Sequence, residues 1–323
     1  MALVVCPLTH FAYSVKMVEN VTRNKKVLRD IPEDPTFPLA RKKQVVKQRK
    51  EFEKFEGHVA DKVFWQKGAA VIALMQPLSA VLHFLEGDKI PLSFIIPLYS
   101  VYYFYTQRLP EKVTANLRRT TIRDVQDKVK ERWLGTARKA GLRAPVHCLA
   151  FMLDPYVYFS VKVVLGTEGL NTIKESFSDD VCEEAILNYC GEKRNDKYAV
   201  LVGEFERYRA AFNSDCDGTN PHRKLIVRCE TLVETQLKTH IASCDEVTKG
   251  NKVNLLISCL KKLATIGSAK VFYNRVAEPF PMGHSLKIFS LMALHIIALV
   301  GHACSVERIN KNMDMIMNKV STT

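Results

Sequence analysis

Residues 284–310 read HSLKIFSLMALHIIALVGHACSVERIN, and this stretch decides how the rest of the chain is interpreted. Between Leu286 and Val300 nearly every residue is apolar. A helix that is apolar on all faces is one that is buried on all sides. The acidic residue Glu307 follows a few positions later, and a carboxylate at the end of a buried element needs either a partner or a function. The stretch therefore predicts a core helix and leaves the role of Glu307 to be explained.

The composition is that of an ordinary globular protein with a basic surface. The 323 residues are 47% hydrophobic and 25% charged, and 47 Lys and Arg against 34 Asp and Glu give a net charge of +13. This length is enough for one large or two ordinary domains. The positive charge favours anionic partners such as nucleic acid or an acidic membrane surface. The 9 cysteines include no Cys-x-x-Cys pair, which predicts reduced thiols in cytosol or nucleus.

Neither a signal peptide nor a membrane-spanning helix is expected. The first 13 residues, MALVVCPLTHFAY, lack a charged start and a long apolar core. Residues 69–85 are interrupted by a Gln-Pro pair, and residues 286–300 contain a lysine and a histidine. Both stretches fall short of the roughly 20 uninterrupted apolar residues that a spanning helix needs. A membrane partner is therefore not expected.

Helical spacing of apolar residues dominates the chain and predicts a mainly α fold. A first helix is expected over residues 11–28, ending before a proline cluster. A long apolar helix is expected over residues 69–84. The aromatic residues of 92–105 recur at helical spacing, which favours packing in a core over stacking on bases. The pattern also allows a short strand at residues 225–229 or 270–272.

Two helical segments concentrate positive charge. Residues 41–54 hold seven Lys and Arg, interrupted by Glu51 and Glu53. This pattern favours a solvated helix face with Glu/Lys pairs, and a patch that contacts phosphates is the alternative. Residues 111–143 hold ten Lys and Arg, an excess large enough to predict contacts with phosphates. The candidate nucleic-acid-binding residues are Arg41, Lys42, Lys43, Lys47, Arg49, Lys50, Arg118, Arg119, Arg123 and Lys130.

Local motifs for enzyme chemistry are absent from the sequence. There is no Gly-x-Gly-x-x-Gly, P-loop or Gly-x-Ser-x-Gly element. His147 with Cys148, and the His-Ala-Cys run at 302–304, are isolated pairs, whereas a structural zinc needs four ligands at recognisable spacing. Glu307 alone cannot build a two-metal site, which needs several carboxylates. Pairing of Glu307 with the arginine that follows it is an equally good interpretation.

A series of short motifs, in order along the chain, resembles the C-terminal half of hAT-superfamily DNA transposases, especially the plant-type group with a BED zinc finger. The motifs are Leu8-Thr9-His10-Phe11, Phe64-Trp65, Gln76-Pro77-Leu78, Leu85-Glu86-Gly87-Asp88-Lys89, Arg132-Trp133, Leu149-Ala150-Phe151-Met152-Leu153-Asp154-Pro155-Tyr156 and Ser305-Val306-Glu307-Arg308. Each is short, and their order over nearly the whole chain carries the resemblance. The chain departs from the family at His10, where the family has Arg.

The resemblance implies a domain organisation and a former site. Residues 1–144 would be a basic helical insertion domain and 145–267 its continuation toward the core. Residues 268–323 would be the C-terminal remnant of a ribonuclease H-like α/β core with a dimerisation segment. Glu307 would be the third acid of an Asp-Asp-Glu site, whose two aspartates, like the zinc finger, would lie before Met1. The dimerisation residues would be Leu286, Phe289, Leu291, Ile296, Ile297, Leu299, Val300 and Arg308.

The function expected from the resemblance is that of a transposase-derived, catalytically incomplete protein. It would bind DNA without sequence preference through its basic helices and form a homodimer, in the nucleus or alternatively in the cytoplasm. No enzyme activity, small-molecule substrate or cofactor is expected, and Mg²⁺ would bind only if the missing aspartates were supplied. Two alternatives stay open. One is a helical scaffold that binds acidic proteins, and the other is a fragment of an active transposase completed by upstream sequence.

Overall fold

The computed structural model of the chain is mainly α-helical, which confirms the fold class at that level. It describes residues 11–85, 90–136, 139–140, 144–175, 179–191, 195–213, 215–216 and 218–298. The helices in these ranges are α1 Phe11–Arg23, α2 Lys25–Asp30, α3 Phe37–Lys42, α4 Val46–Ala60, α5 Lys62–Leu85, α6 Ile95–Gln107, α7 Glu111–Thr114, α8 Arg119–Leu134, α9 Pro145–Leu153, α10 Pro155–Glu175, α11 Asp179–Tyr189, α12 Asp196–Ala210, α13 Arg223–Ser243, α14 Glu246–Gly250, α15 Lys252–Ile266, α16 Ala269–Ala277 and α17 Ser285–Ala298. A 3₁₀ helix at Leu92–Phe94 precedes α6.

Extended structure in the described ranges is limited to two strands of two residues each. Strand β1 (Gly135–Thr136) pairs with β2 (Lys139–Ala140) in an antiparallel register, with Gly135 opposite Ala140. The short strands allowed at residues 225–229 and 270–272 are wrong, because these residues lie inside α13 and α16. The buried residues of α13 recur at helical rather than alternating spacing: Ile226, Cys229, Val233 and Leu237. A ribonuclease H-like origin stays a prediction.

The described residues form two compact units. The first consists of residues 11–83 and 104–129, and the second of the described residues within 84–103 and 130–298. Positive charge is concentrated in the first unit, which has 20 Lys and Arg against 11 Asp and Glu. Because the whole chain has 47 and 34, the rest of it has 27 against 23. The first unit thus has an excess of nine positive charges, and the rest of the chain an excess of four.

The first unit is built around small groups of apolar side chains. Leu28, Val59 and Trp65 form one group, and the indole N–H of Trp65 donates a hydrogen bond of 2.8 Å to the carbonyl of Val59. Leu74 and Val113 belong to a second group. The helix predicted over residues 11–28 is divided into α1 and α2, but α2 ends at Asp30, before the proline cluster, as predicted.

The second unit has the larger aromatic core. Tyr99 and Tyr102 of α6 are buried, and the ring of Tyr99 stacks on Trp133 with centroids 6.0 Å apart. For these two tyrosines the preference for core packing over base stacking is confirmed. Helix α10 packs on α13 and α15 and is interrupted at Gly166, whose φ of 76° and ψ of 176° lie in a region open essentially only to glycine.

One helix of the described part, α5, is long and apolar enough to cross a membrane, and 28% of its most apolar stretch is buried. Helices α9 and α10 reach a sufficient length and apolar content only when they are taken together, as a pair bent by 86°. The number of such segments in the described ranges is therefore one, or two if the bent pair is counted. Core helices of globular proteins also reach this length and composition, so the observation is a weak indication of a membrane span.

Candidate nucleic-acid interface

Five of the predicted basic residues form an exposed cluster where α3 meets α4. We call Lys42, Lys43, Lys47, Arg49 and Lys50 the α3–α4 cluster, and all five are exposed. The two helices are joined by aromatic packing, since the ring of Phe37 lies 5.4 Å from that of Phe52 and 6.3 Å from that of Phe55. This packing fixes the turn between the helices, and with it the positions of the cluster residues.

The cluster lacks local acidic partners. Residues 41–50 contain six Lys and Arg and no Asp or Glu. Arg41 is not part of the cluster, because its side chain is half-buried and pairs with Glu56 at 3.0 Å. Among the described residues, no carboxylate forms an ion pair with a member of the cluster. Arg49 donates instead to the backbone carbonyl of Gln44 at 2.8 Å, which keeps its charge at the turn.

The N-terminus of α4 adds backbone donors at the same place. Its N-cap residue is Val45, whose side chain cannot accept a hydrogen bond from the first N–H groups. The first turn holds no acidic residue, although acidic residues are the ones that stabilise this end of a helix. Lys47 and Arg49 lie there instead, and Lys50 follows directly. Cationic side chains at an uncapped helix N-terminus are unfavourable for the helix but suited to an anion such as phosphate.

The second predicted basic segment is exposed but mixed in charge. Arg118, Arg119, Arg123 and Lys130 are all exposed. At 100° per residue, Arg119, Arg123 and Lys130 fall on one stripe of α8, and the acidic Asp124, Asp127 and Glu131 fall on the adjoining stripe. Arg119 also lines an open cavity of about 550 Å³ that contains Glu111. This face therefore attracts anions less strongly than the α3–α4 cluster does.

Helix α17, the last helix in the described residues, is part of the core of the second unit, as its composition predicts. Leu286, Phe289, Ile296 and Ile297, four of the predicted dimerisation residues, are buried by packing within the chain. Among the predicted dimerisation residues that the structure describes, only Leu291 is exposed, at 38%. These four side chains are not available as an exposed patch in the described structure. Glu307, Leu299, Val300 and Arg308 lie outside the described residues, and the homodimer stays a prediction.

The second unit contains a buried carboxylate that was not predicted from the sequence, and we call Glu204 with Ser285, Arg207 and His222 the Glu204 cluster. Glu204 and His222 are buried, whereas the side chain of Arg207 is exposed. The carboxylate of Glu204 accepts hydrogen bonds from Ser285 at 2.7 Å and from Arg207 at 3.0 Å. The imidazole Nε2 of His222 lies 3.9 Å from its other oxygen, and His222 is fully buried. The ring of His222 lies edge-on against Tyr208 and Phe289.

The charge of Glu204 is stabilised by its neighbours in spite of burial. Burial raises the pKa of this carboxyl. His222, then Ser285 and Arg207, together lower the pKa by more than burial raises it, so the pKa lies below its ordinary value. A usable signal was present in the sequence. Glu204 lies in the apolar stripe of α12, with the buried residues Leu201, Phe205 and Tyr208 at helical spacing around it. A carboxylate in such a stripe predicts a buried partner.

A second buried carboxylate, Asp154, has the opposite electrostatics. It caps α10 by accepting from the backbone N–H of Val157 at 3.2 Å, and it accepts from the Ser93 hydroxyl at 2.7 Å. Burial is the largest effect and raises the pKa of Asp154 to about 6, although both hydrogen bonds lower it. This residue belongs to the Leu-Asp-Pro motif, and its structural role is the junction of α9 and α10.

Side chains that could hold a metal ion do not converge in the described part of the chain, where no group of three or more His, Cys, Asp or Glu is found. Cys148, the partner of His147 in the sequence, is fully buried, as expected for a packed residue. His240 at the end of α13 hydrogen-bonds Ser258 at 2.9 Å and has Cys244 at 3.9 Å, which gives two ligand types but not a metal site.

Comparison with known proteins adds no family to this description. No protein-family model, no curated protein and no solved structure matches the chain. The candidate interface therefore rests on the geometry and charge of the α3–α4 cluster.

Proposed function

We propose that the protein binds the phosphate backbone of duplex DNA through the α3–α4 cluster, as a transposase-derived protein without catalytic activity of its own. The observation that carries the proposal is the coincidence of exposed lysine and arginine side chains with the uncapped N-terminus of α4. Each feature alone is common on protein surfaces. Together they place mobile cations and fixed N–H donors at one point, which is the arrangement that binds phosphate.

The chemistry of the cluster favours binding without sequence preference. Lys42, Lys43, Lys47 and Lys50 carry ammonium groups, which act as point charges toward phosphate oxygens. Sequence is read by side chains that reach base edges in a groove, and α4 carries the acidic Glu51 and Glu53 directly after the cluster. These carboxylates would repel the backbone if α4 entered the groove along its length. We therefore expect the N-terminal end of the helix, rather than its face, to approach the DNA.

Counterion release supplies the sharpest test. The slope of log K against log salt is about −0.9 per phosphate contact. Replacing Lys43, Lys47, Arg49 and Lys50 together with glutamine should therefore reduce the magnitude of this slope by about three to four in the full-length chain. Affinity for a random-sequence duplex should be measured by fluorescence anisotropy between 20 and ~200 mM salt, the range over which counterion release is readily resolved.

A matched control removes the same charge elsewhere. Lys224, Arg228, Lys238 and Lys270 are exposed residues of α13 and α16 in the second unit. Replacing these four with glutamine should leave the slope nearly unchanged. Equal slopes for the two quadruple variants would mean that net charge alone attracts DNA and that the cluster is not the site. Absence of binding at low salt would instead favour a helical scaffold for acidic proteins.

The homodimer, the nuclear location and the ribonuclease H-like origin belong to the same proposal and rest on the resemblance to hAT transposases. The burial of α17 narrows how a dimer could form. Because Phe289, Ile296 and Ile297 already fill the core of one chain, a dimer would have to use other surfaces of this helix or residues beyond it. Light scattering of the full-length chain measures the oligomeric state directly.

A further inference from the structure

A small cavity opens on the second unit, whereas the α3–α4 cluster belongs to the first unit. Its volume is about 290 Å³, at the lower end of the range for small-molecule pockets. Helices α9, α10 and α12 and the turn after α12 provide its walls. The residues that matter for its chemistry are Tyr158, Lys174, Glu206, Arg209, Phe212 and Asn213.

One wall of the cavity is aromatic. The rings of Tyr158 and Phe212 are 4.5 Å apart, which is close packing for two rings. The ring of Phe212 also packs against Phe159 at 5.5 Å and Tyr208 at 5.3 Å, yet Phe212 is partly exposed and lines the cavity. A partly exposed phenylalanine fixed by three neighbouring rings offers a rigid surface for a further planar group.

The polar lining is dominated by donors. The ammonium group of Lys174 lies 3.5 Å from the hydroxyl of Tyr158 and 5.8 Å from the centre of its ring. Arg209 lies over Phe205 at 5.7 Å and, like Lys174, lines the cavity. Burial raises the pKa of Tyr158 to about 12, with Glu230 raising it and Arg209 lowering it. The tyrosine is therefore a neutral hydroxyl that can donate a proton to an acceptor at any physiological pH.

We propose that this cavity binds a small planar anion, a single aromatic ring system carrying a phosphate or a carboxylate. The ring lies against Phe212, and the anionic group is held by Lys174, Arg209 and the hydroxyl of Tyr158. Guanidinium and ammonium groups bind such oxyanions through charge-assisted hydrogen bonds, and an aromatic wall binds the flat ring. Glu206 is exposed at the rim, where water screens its charge. Binding at this cavity does not depend on DNA binding. The sequence predicts no small-molecule substrate, and the ligand proposed here is one that binds without reacting.

Calorimetric titration of the full-length chain with four probes tests both parts of the ligand. Adenosine monophosphate and benzoate carry a ring and an anion, adenosine carries only the ring, and inorganic phosphate carries only the charge. We expect one of the first two to bind at least about tenfold more tightly than either of the last two, because only these two combine charge-assisted hydrogen bonds with a ring contact. Binding of adenosine monophosphate alone identifies a nucleotide, and binding of benzoate alone a simple aromatic carboxylate. Failure of both to bind at millimolar concentration overturns the proposal.

Variants locate the binding in this cavity. Arg209→Gln and Lys174→Gln should each weaken the tighter probe about tenfold, and Tyr158→Phe should weaken it by roughly fivefold while keeping the ring. Lys197→Gln is the matched control, because Lys197 is an exposed cation at the other end of α12. Unchanged affinity in both Arg209→Gln and Lys174→Gln, with an unchanged thermal melt, would place the binding elsewhere and contradict the proposal. DNA affinity measured on the same variants separates this outcome from failure of the α3–α4 cluster.

Discussion

The α3–α4 cluster and the Glu204 cluster use the same kinds of residue under opposite conditions. In the first, lysines and arginines are exposed and lack carboxylate partners among the described residues. In the second, Glu204 is 2% exposed and surrounded by Ser285, Arg207 and His222. An exposed charge acts at a distance and is weakened by salt, whereas a buried charge acts on its immediate neighbours and on stability. The difference agrees with our proposal that the first cluster binds a partner, and it indicates that the second cluster acts on stability.

The largest effect is expected from Glu204→Ala. Removing the carboxylate leaves the buried His222 and the partly buried Ser285 without the acceptor that they face. Each buried polar group that loses its partner costs about 1–3 kcal/mol, so the two together should cost about 3 kcal/mol or more. Chemical denaturation at pH 7 should show this loss in the free energy of unfolding. Glu206→Ala, two residues along the same helix and exposed, should stay within about 0.5 kcal/mol of the parent. Equal small effects of the two changes would remove the distinction between the clusters.

Asp154→Asn should increase the free energy of unfolding, whereas Glu204→Ala should decrease it. The pKa of Asp154 is about 6 in the folded chain, above its ordinary value of 3.8, so folding opposes its ionisation. Stability attributable to this group is present below pH 4 and is lost as the pH rises through 6. The amide keeps a cap for α10 without a charge and should raise the free energy of unfolding at pH 8 by up to about 3 kcal/mol, the equivalent of some two pKa units.

The pH profile distinguishes the two carboxylates. The folded pKa of Glu204 is lowered, so its contribution is present above its unfolded pKa and is lost as the pH falls through the folded value. The parent chain should therefore lose stability from Asp154 on going from pH 4 to 6, and the Asp154→Asn variant should show a flatter profile over that interval. An unchanged profile in this variant would contradict the assignment of the raised pKa to Asp154.

The smallest effect is expected from Lys47→Glu in the α3–α4 cluster. An acidic residue in the first turn of α4 complements the helix dipole, so the variant should be more stable by about 0.3–1 kcal/mol. The same change should weaken DNA binding, because it places a negative charge next to phosphate. A thermal melt and a binding titration on one sample measure both. Loss of stability together with weaker binding would indicate that Lys47 has a structural role instead.

The sequence predicted those features that depend on local spacing. The apolar stretch from Leu286 onward predicted a helix buried on all sides, and α17 is buried, because a helix with no polar face has no side to leave in water. The aromatic spacing of α6 likewise predicted the burial of Tyr99 and Tyr102. The exposure of Lys42 to Lys50 was predictable from charge, since lysine and arginine are rarely buried without a partner.

Other features depend on residues far apart in the chain. Ser285 and Glu204 are 81 positions apart, and Ser93 and Asp154 are 61 apart. No spacing rule joins such pairs, so the sequence could not indicate which residues contact Glu204, or that Asp154 has hydrogen-bond donors but no cation beside it among the described residues. The α13 residues at 225–229 were also ambiguous, because a short run of β-branched residues suits both a strand and a helix.

The sequence by itself determined that the chain is mainly helical, that its charge is positive and concentrated in certain segments, and which residues of α17 are apolar. These are properties of composition and of short-range periodicity. Only the tertiary structure decided that the turn between α3 and α4 gathers exposed cations beside an uncapped helix end, that α17 is buried within its own chain, and that Glu204 is buried in contact with Ser285. The physical reason is that exposure and pKa depend on what packs against a side chain, and packing joins residues that the sequence separates.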